Sequence, residues 1–348
     1  MEPSTHKEYT IPPSGAILAA WAGFTLSLDS SGSPLGMMIT MITRRGFVAS
    51  AVSASALGGR NLPPVGRSRI GALTDEIART PQGAIEFLKQ YGLRLAELRE
   101  VPGGKGTYDE DLSETQLRAA AKEFQDARIR ISFLDAGSMK YYLPGTEPPR
   151  RRPGSDEARA KRVAAEGAEF ERRMDHIRKA IDAAKILGAN KVRVFAFGRV
   201  AEPLALMPRI AQVLGPMVEL AGNEKIQLLV ENEASCNVAT AAELAALMKL
   251  MPSKWIGVNW DITNGIGLKE VPFPDGYNLL PKNRIGNVHI KGRSVLDYPE
   301  RQNWRLIFDT MTKDGYTGNF GLETHIFGDG QIQASHDSMK EILRILGS

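Results

Sequence analysis

Residues 226–235 read IQLLVENEAS, an apolar run that passes directly into Glu231, Asn232 and Glu233. A run this apolar predicts a strand that is buried along its length. A buried strand that ends in two carboxylates is unusual, because an isolated carboxylate is costly to remove from water. The tip of this strand therefore marks a place in the fold where negative charge is needed.

Short apolar runs of this kind recur from residue 69 onward and alternate with helical patterns. Strands that alternate with helices favour a parallel sheet. Eight such units over about 280 residues predict a single α/β domain folded as a (β/α)₈ TIM barrel. An open doubly wound sheet is the alternative, but ALTDEI at 72–77 lacks the glycine-rich turn that follows the first strand of that fold. The predicted strands cover 69–74, 93–101, 129–137, 191–198, 226–233, 255–261, 285–292 and 319–325.

Helical spacing of apolar residues predicts the segments between and after these strands. Ser113 stands three residues before Gln116, the spacing of a capping box, and Gly188 is placed to end a helix. A polar insert without predicted structure follows the third strand and extends to about residue 165. The predicted helices cover 81–92, 112–127, 170–188, 203–224, 240–251, 304–315 and 335–346.

The first 60 residues differ in character from the remainder. TRRGFVASAVSASALGG at 43–59 has the pair Arg44-Arg45, a weakly apolar stretch, and the small-residue pattern ASA at 54–56. This segment resembles a twin-arginine export signal. We therefore assign 1–60 to a disordered signal segment and 66–348 to the barrel, and we expect a periplasmic or otherwise exported protein. If the arginine pair is a chance feature of a disordered tail, the protein is cytoplasmic.

Three methionines offer later start sites, which would make 1–36 a mis-assigned extension: Met37, Met38 and Met41. The apolar run at 16–28 is shorter than the roughly 20 residues that span a bilayer, so we expect no membrane insertion of the mature chain.

The net charge of +4 over 348 residues is only mildly basic. The densest basic run, Arg150–Arg152, lies among prolines without interleaved aromatic residues, which favours a solvated loop over a nucleic-acid site. The single cysteine, Cys236, cannot form an internal disulfide, and we interpret it as a small buried hydrophobe rather than a nucleophile. Association into a homo-oligomer is compatible with this composition.

Four consecutive predicted strands carry an acidic or imidazole side chain at or near their ends: Glu231, Asp261, His289 and Glu323. They follow one another at intervals of 30, 28 and 34 residues, each about one strand-helix unit. Active sites of TIM barrels lie at the carboxyl ends of the strands, so we expect the four at one height on one rim. Three carboxylates and one imidazole suit one divalent metal ion, Mn²⁺, Mg²⁺ or Co²⁺ by ligand hardness, with Zn²⁺ as a further candidate.

Each of the four also has a purely structural interpretation. Glu231 would pair with Arg193 on the neighbouring strand, and Asp261 would cap the turn that follows it. His289 would be a hydrogen-bonded core histidine, and Glu323 would pair with Lys291. These alternatives compete poorly with a metal site when all four must hold together.

The chain resembles the sugar phosphate isomerase/epimerase family, part of the xylose isomerase-like TIM barrel superfamily. The resemblance runs from about residue 69 to 346 and is carried by the stretches ENEASCNVATAAELAALM (231–248), GVNWDITN (257–264), PFPDGY (272–277), NVHIKG (287–292) and GYTGNFGLETH (315–325). It implies that the four side chains above hold the metal and that Glu231 and Glu323 are the catalytic acid/base pair. The residues that it places near the substrate are Glu233, Asn264, Lys291, His325, Glu97, Arg99 and Lys140.

Such a site removes a proton next to a carbonyl and returns it, through an enediolate, to the neighbouring carbon or to the opposite face. The resemblance thus implies a metal-dependent sugar isomerase or epimerase with a small carbohydrate substrate. An exported enzyme would act on a free sugar, keto-sugar or glycoside rather than a sugar phosphate. Elimination by a lyase at the same site, or a non-catalytic secreted sugar-binding barrel, remains open. The apurinic endonuclease branch is disfavoured because its zinc cluster needs many histidines, so we expect no nucleic-acid partner.

Glu231 and Glu233 have different expected roles. In an extended strand the two would lie on one side, one pleat apart in height. We expect Glu231 to bind metal and transfer protons, whereas Glu233, nearer the loops, orients substrate or a neighbouring basic group. Lys291 and His325 either contact substrate or support the metal ligands.

Overall fold

Eight parallel strands form a closed barrel in the computed structural model of this chain, which describes residues 62–150 and 153–347. Each strand pairs with the next in sequence, and the last pairs with the first. All the strands are almost wholly buried, as expected for parallel strands covered by helices. The strands are β1 (Ile70–Leu73), β2 (Leu95–Leu98), β3 (Arg130–Leu134), β4 (Lys191–Val194), β5 (Gln227–Glu231), β6 (Ile256–Asp261), β7 (Ile285–Lys291) and β8 (Asn319–Glu323).

Helices follow the strands and surround the barrel. They are α1 (Thr74–Ile77), α2 (Pro81–Gln90), α3 (Glu114–Asp126), α4 (Asp156–Glu171), α5 (Arg173–Leu187), α6 (Pro203–Asn223), α7 (Ala241–Leu250), α8 (Tyr277–Leu279), α9 (Gly292–Val295), α10 (Trp304–Lys313) and α11 (Gln331–Leu346). Short 3₁₀ turns lie at Arg67–Arg69, Ile266–Leu268 and Lys282–Arg284, and a π turn lies at Pro272–Gly276. The predicted TIM barrel and its eight strands are confirmed.

Local signals in the sequence account for the ends of two helices. The Gln116 amide donates to Ser113 Oγ at 3.4 Å, and the Ser113 amide donates to Gln116 Oε1 at 2.9 Å, which is the predicted capping box. Gly188 ends α5 with φ of 77°, a left-handed conformation that glycine adopts without strain.

The polar insert up to residue 165, for which the sequence predicts no element, contains the start of α4 at Asp156. Its N-cap Ser155 accepts a hydrogen bond from the Ala158 amide at 3.2 Å. No residue of α4 is buried, so its sequence carries no apolar stripe from which a helix could be recognised.

Helix α6 is the one described helix that is long and apolar enough, by length and composition, to cross a membrane. Its inner face belongs to the hydrophobic core, where Met207, Ile210, Leu214 and Met217 are at most 2% exposed. This packing against the barrel accounts for its apolar composition. The arginine pair Arg44-Arg45 lies outside the described residues, so export stays a prediction.

The Cys236 thiol is expected to be unreactive in the folded protein. The residue is fully buried, and burial raises the pKa of the thiol to about 12. At pH 8 the thiolate fraction is then on the order of one in ten thousand, and the thiolate is the nucleophilic form. Titration with a chromogenic disulfide should find no reactive thiol in native protein and one per chain in denaturant. Rapid modification of native protein would contradict this packing.

Candidate active site

The four predicted side chains do not share one register position, because their positions shift along the strands from β5 to β8. Asp261 pairs with His289, whereas Glu231 is level with Asn259, two residues before Asp261. Glu323 is level with the residue two positions after His289. Strands of an eight-stranded barrel are tilted and staggered by about one residue per strand, so this shift of four residues over three strand pairs keeps the side chains near one height along the barrel axis.

The potential ligand atoms of these four residues lie within 4.8 Å of one another, and all four side chains are buried. His289 Nδ1 is 2.9 Å from Glu323 Oε2 and 3.6 Å from Glu231 Oε1. The sequence prediction had placed them together on one rim, and the structure brings them into a single cluster.

Glu231 and Asp261 each use one oxygen for structure and direct the other toward the cluster. Glu231 Oε2 accepts hydrogen bonds from Arg193 at 3.0 Å and Asn259 at 3.1 Å. Asp261 Oδ1 accepts from the backbone amide of Thr263 at 2.8 Å and caps that turn. Both structural interpretations considered for these residues are therefore realised, but each occupies only one oxygen of the carboxylate.

Lys291 approaches one carboxylate oxygen of Glu323 and one of Asp261. Its ammonium nitrogen is 2.7 Å from Glu323 Oε2 and 3.2 Å from Asp261 Oδ2. Neither oxygen accepts a hydrogen bond of suitable geometry from a described residue, although both are buried. The second oxygen of Glu323 accepts from Arg99 at 3.2 Å.

The opposite edge of the His289 ring faces a second pair of carboxylates. Nε2 lies 3.0 Å from Glu97 Oε2 and 3.3 Å from Asp135 Oδ1, and all three residues are fully buried. Arg193 Nη1 lies 3.5 Å from Asp135 Oδ1, so this arginine contacts a carboxylate on each side of the ring. His289 thus belongs to two buried carboxylate clusters, one on each edge of its ring.

Burial and neighbouring charge compete in setting the protonation of the cluster. Burial alone would raise the pKa of Glu231, but the charges of Arg193 and His289 outweigh it and hold the pKa at about 2. Burial is likewise outweighed at Glu323, whose pKa Lys291 and the two neighbouring histidines hold well below its usual range. Burial would lower the pKa of His289, but the surrounding carboxylates raise it well above its ordinary value.

Two aspartates keep a raised pKa because burial dominates. The pKa of Asp135 is raised to about 6 by burial, despite opposing charges on His289 and Arg193. Burial also raises the pKa of Asp261, and Lys291 opposes it. The loss of hydration therefore raises the pKa of these two aspartates by more than the neighbouring cations lower it.

Negative charge exceeds positive charge at this end of the barrel. Even with His289 and His325 both protonated, seven carboxylates face five cations among the described residues. A divalent cation corrects such a surplus, and its donors would be three carboxylate oxygens and one imidazole nitrogen, a set that suits a hard or borderline metal. The residues present therefore fit a metal ion. The carboxylates are Asp75, Glu76, Glu97, Asp135, Glu231, Asp261 and Glu323; the permanent cations are Arg99, Arg193 and Lys291.

The residues predicted to contact substrate differ in where they lie relative to the four-residue cluster. Arg99 and Lys291 both contact Glu323 of the four-residue cluster. The half-exposed side chain of His325 lies at the rim, with Nδ1 3.5 Å from Glu323 Oε1. Asn264 donates to the Asn232 carbonyl at 2.8 Å, beside the cluster.

Glu233, Lys140 and Glu97 complete that set. Glu233 Oε2 lies 3.4 Å from Lys140 Nζ, which is the neighbouring basic group expected for it. Glu97 was predicted to contact substrate, but its carboxylate is fully buried against His289 and accepts a hydrogen bond from Asn287 at 3.1 Å. We therefore assign Glu97 to orienting His289.

Sequence reasoning missed Asp135 and Glu76. Asp135 directly follows β3 in SFLDAG, and the strand-end argument used for the other strands would have found it. Glu76 lies in α1, immediately after β1, and accepts a hydrogen bond from the His325 amide at 2.6 Å.

The family model described as a xylose isomerase-like TIM barrel matches residues 85–345. An L-ribulose 3-epimerase structure has 18% identity and a TM-score of 0.57, covering 80% of this chain and 95% of that one. The 3-keto-D-glucoside 4-epimerase from E. coli has 14% identity and a TM-score of 0.54, covering 80% and 99%. A xylose isomerase-like TIM barrel protein from Mycobacterium smegmatis in complex with magnesium has 17% identity and a TM-score of 0.56, covering 80% and 96%.

At these identities the likeness to solved structures establishes the fold alone. No curated protein sequence matches the chain significantly.

Gly321 on β8 is expected to be required for the orientation of His289. A Cβ atom at this position would lie 2.2 Å from Glu97 Oε2, so Gly321→Ala must displace the Glu97 carboxylate from His289 Nε2. Loss of such a partner weakens metal binding by about 10- to 100-fold. Calorimetric titration with Mn²⁺ should show that loss. Gly215→Ala, where a Cβ meets nothing within 4 Å, is the control and should bind as wild type does. Unchanged Mn²⁺ affinity in Gly321→Ala would contradict the assignment.

Proposed function

Because the chain belongs to the xylose isomerase-like TIM barrel family, we propose that it is a divalent-metal-dependent isomerase or epimerase of a sugar or keto-sugar. One observation carries the proposal. Glu231 on β5 and Glu323 on β8 lie at the two ends of a four-strand arc, and each directs one oxygen toward His289 Nδ1 between them. A pair of carboxylates on either side of a candidate metal site is suited to moving a proton between two positions on one substrate.

The solved relatives support the same chemical class. One is an L-ribulose 3-epimerase, another is a 3-keto-D-glucoside 4-epimerase, and a third holds magnesium. We propose that Glu231 Oε1, Asp261 Oδ2, His289 Nδ1 and Glu323 Oε2 would hold the ion, with Mn²⁺, Mg²⁺ or Co²⁺ favoured by the three oxygen donors. When bound, it would supply the Lewis acidity that polarises a substrate carbonyl and stabilises an enediolate.

Glu231 and Glu323 perform the proton transfer in this proposal. Both are ionised at neutral pH, since the pKa of Glu231 is about 2 and that of Glu323 is well below its usual range. One carboxylate removes the proton from the carbon next to the carbonyl. The other takes up a proton from solvent and delivers it, and the first carboxylate then releases its own proton to solvent. Delivery to the neighbouring carbon gives the isomer, and delivery to the opposite face of the first carbon gives the epimer.

The cations around the pair stabilise the negative charge that develops on substrate oxygens. Lys291 is fully buried next to Asp261 and Glu323, so its ammonium group is held at the reacting end of the site with little freedom. Arg99 is anchored by Asp75 at 2.5 Å and by Glu76 at 3.0 Å, which fixes the direction of its guanidinium. Preorganised donors of this kind favour an oxyanion more than the neutral carbonyl.

Exchange of a substrate proton with solvent tests the proposed acid/base pair. Protein loaded with Mn²⁺ should exchange the proton next to the carbonyl of at least one ketose in a panel of D-fructose, D-allulose and L-ribulose in D₂O. Glu231→Gln and Glu323→Gln should each reduce that exchange at least about 100-fold, because a glutamine cannot accept the proton. The exposed carboxylate Glu114 provides a matched control, Glu114→Gln, with wild-type exchange expected.

Two outcomes would overturn the proposal. Exchange at the wild-type rate in Glu231→Gln and Glu323→Gln would remove the pair from the chemistry. Tight sugar binding without exchange across a broad panel would instead indicate a non-catalytic sugar-binding barrel. Loss of a substituent β to the carbonyl would favour the lyase.

Glu233→Gln is expected to change substrate affinity more than turnover. Glu233 lies 3.4 Å from Lys140 and follows the end of β5 by two residues. Loss of this contact should raise KM about 3- to 10-fold and leave kcat within about twofold. Lys140→Gln should raise KM similarly, and the double variant should be no worse than either single variant, because both remove one interaction. Additive effects in the double variant would show that the two side chains act separately.

A further inference from the structure

A cavity of about 370 Å³ lies on the side of β3 at the carboxyl ends of the strands, outside the metal cluster. Its walls come from the loops after β2 and β3 and from α4 and α5, and its volume is in the range of small-molecule sites. The charged or aromatic residues that line it are Asp109, Glu110, Lys140, Tyr141, Glu169 and His176. None of the proposed metal ligands lines it.

Lys140 connects this cavity to the metal cluster. Its ammonium nitrogen lies 3.4 Å from Glu233 Oε2 and 4.6 Å from the centre of the Phe195 ring. The guanidinium carbon of Arg193 lies 4.8 Å from the centre of the same ring, and Arg193 donates to Glu231. Lys140, Phe195 and Arg193 therefore lie between the cavity and the reacting carboxylates, which makes the cavity the neighbour of the cluster on the β3–β4 side of the barrel.

Carboxylates lie on both sides of the His176 ring, but only the contact at Nδ1 has the geometry of a hydrogen bond. Nδ1 contacts Glu110, and Nε2 lies 3.0 Å from Glu169 Oε2 on α4. Glu110 also binds Lys179, with the ammonium nitrogen 3.1 Å from Oε2. Helix α4 has no fully buried residue, and it contacts the rest of the protein through Glu169, which lies against His176, and through Phe170, which packs against the core.

The chemistry of the walls selects a particular kind of ligand. Carboxylates at Asp109, Glu110 and Glu169 accept hydrogen bonds, the ammonium of Lys140 donates them, and the Tyr141 ring offers an apolar face. An anionic group such as phosphate is disfavoured by three carboxylates, and a purely apolar group would leave the buried Nε2 of His176 without a hydrogen-bond partner. A neutral ring with many hydroxyl groups satisfies both donors and acceptors.

We propose that this cavity binds a second sugar ring, so that the substrate is a glycosylated keto-sugar rather than a monosaccharide. The inference rests on the proposed function for the ring that reacts, and it assigns Glu110, Glu169 and His176 to the ring that does not. Hydroxyl groups of that second ring bind the cavity carboxylates and Lys140, and its C–H face packs on Tyr141. Binding energy from this remote ring positions the reacting ring between Glu231 and Glu323.

Calorimetric titration of the Mn²⁺-loaded protein with D-fructose and with its glucosyl derivatives turanose, maltulose and isomaltulose tests the inference. At least one disaccharide should bind about 10-fold more tightly than D-fructose, which corresponds to one or two well-placed hydrogen bonds. Glu110→Gln and His176→Gln should each reduce that difference to less than about threefold without changing the affinity for D-fructose. Glu114→Gln makes the same change of charge on an exposed helix and should keep the full difference.

The outcomes separate this inference from the proposed function. Equal affinity for D-fructose and every disaccharide, including no measurable binding of any of them, overturns the second-ring site, as does a preference that survives both cavity variants. Deuterium exchange in D-fructose without a preference for disaccharides would leave the acid/base pair standing and remove this site alone. A preference for disaccharides that depends on Glu110, with no exchange in any ketose, would support the cavity and remove the proposed reaction.

Discussion

The rest of the site depends on the contacts that the His289 imidazole makes with four carboxylates. Its Nε2 edge faces Glu97 and Asp135, and its Nδ1 edge faces Glu231 and Glu323. The ring therefore lies between two buried pairs of carboxylates, one on each of its edges. The contact of Nε2 with Glu97 orients the ring, so that Nδ1 is directed toward Glu231 and Glu323.

The cations of the barrel hold the carboxylates in place without neutralising them fully. Arg193 anchors Glu231, Arg99 anchors Glu323, and Lys291 lies between Glu323 and Asp261. Buried ion pairs of this kind contribute little net stability, because the loss of hydration offsets the attraction between the charges. Their concentration at one end of one barrel is better explained by chemistry than by stability, since functional sites are where sequences depart from the rules of a stable core.

The sequence predicted the barrel and the four-residue cluster for one physical reason. Parallel strands bring their carboxyl ends to one rim, so residues about 30 positions apart along the chain become neighbours once each strand is recognised. Glu231, Asp261 and Glu323 are the last residues of their strands, so the pattern of strand ends identified them in the sequence. The stagger between strands could not be predicted from spacing, because register depends on how the barrel closes.

Two features of the site could not be predicted from the sequence alone. Helix α4 has no buried face, so neither its existence nor its contact with His176 follows from an apolar period. Glu97 and Lys291 are both charged residues on barrel strands, yet Glu97 contacts His289 Nε2 whereas Lys291 contacts Glu323 and Asp261. Which edge of the imidazole a side chain contacts depends on distances of a few ångströms across the barrel, and a linear pattern does not contain them.

The most direct test of this account is an anomalous difference map from crystals grown with Mn²⁺. One peak is expected on the Nδ1 side of His289, within coordination distance of Glu231 Oε1, Asp261 Oδ2 and Glu323 Oε2. The Lys291 ammonium is expected to lie further from the two carboxylate oxygens that it now approaches. A peak on the Nε2 side, between Glu97 and Asp135, or no peak at saturating Mn²⁺, would contradict it.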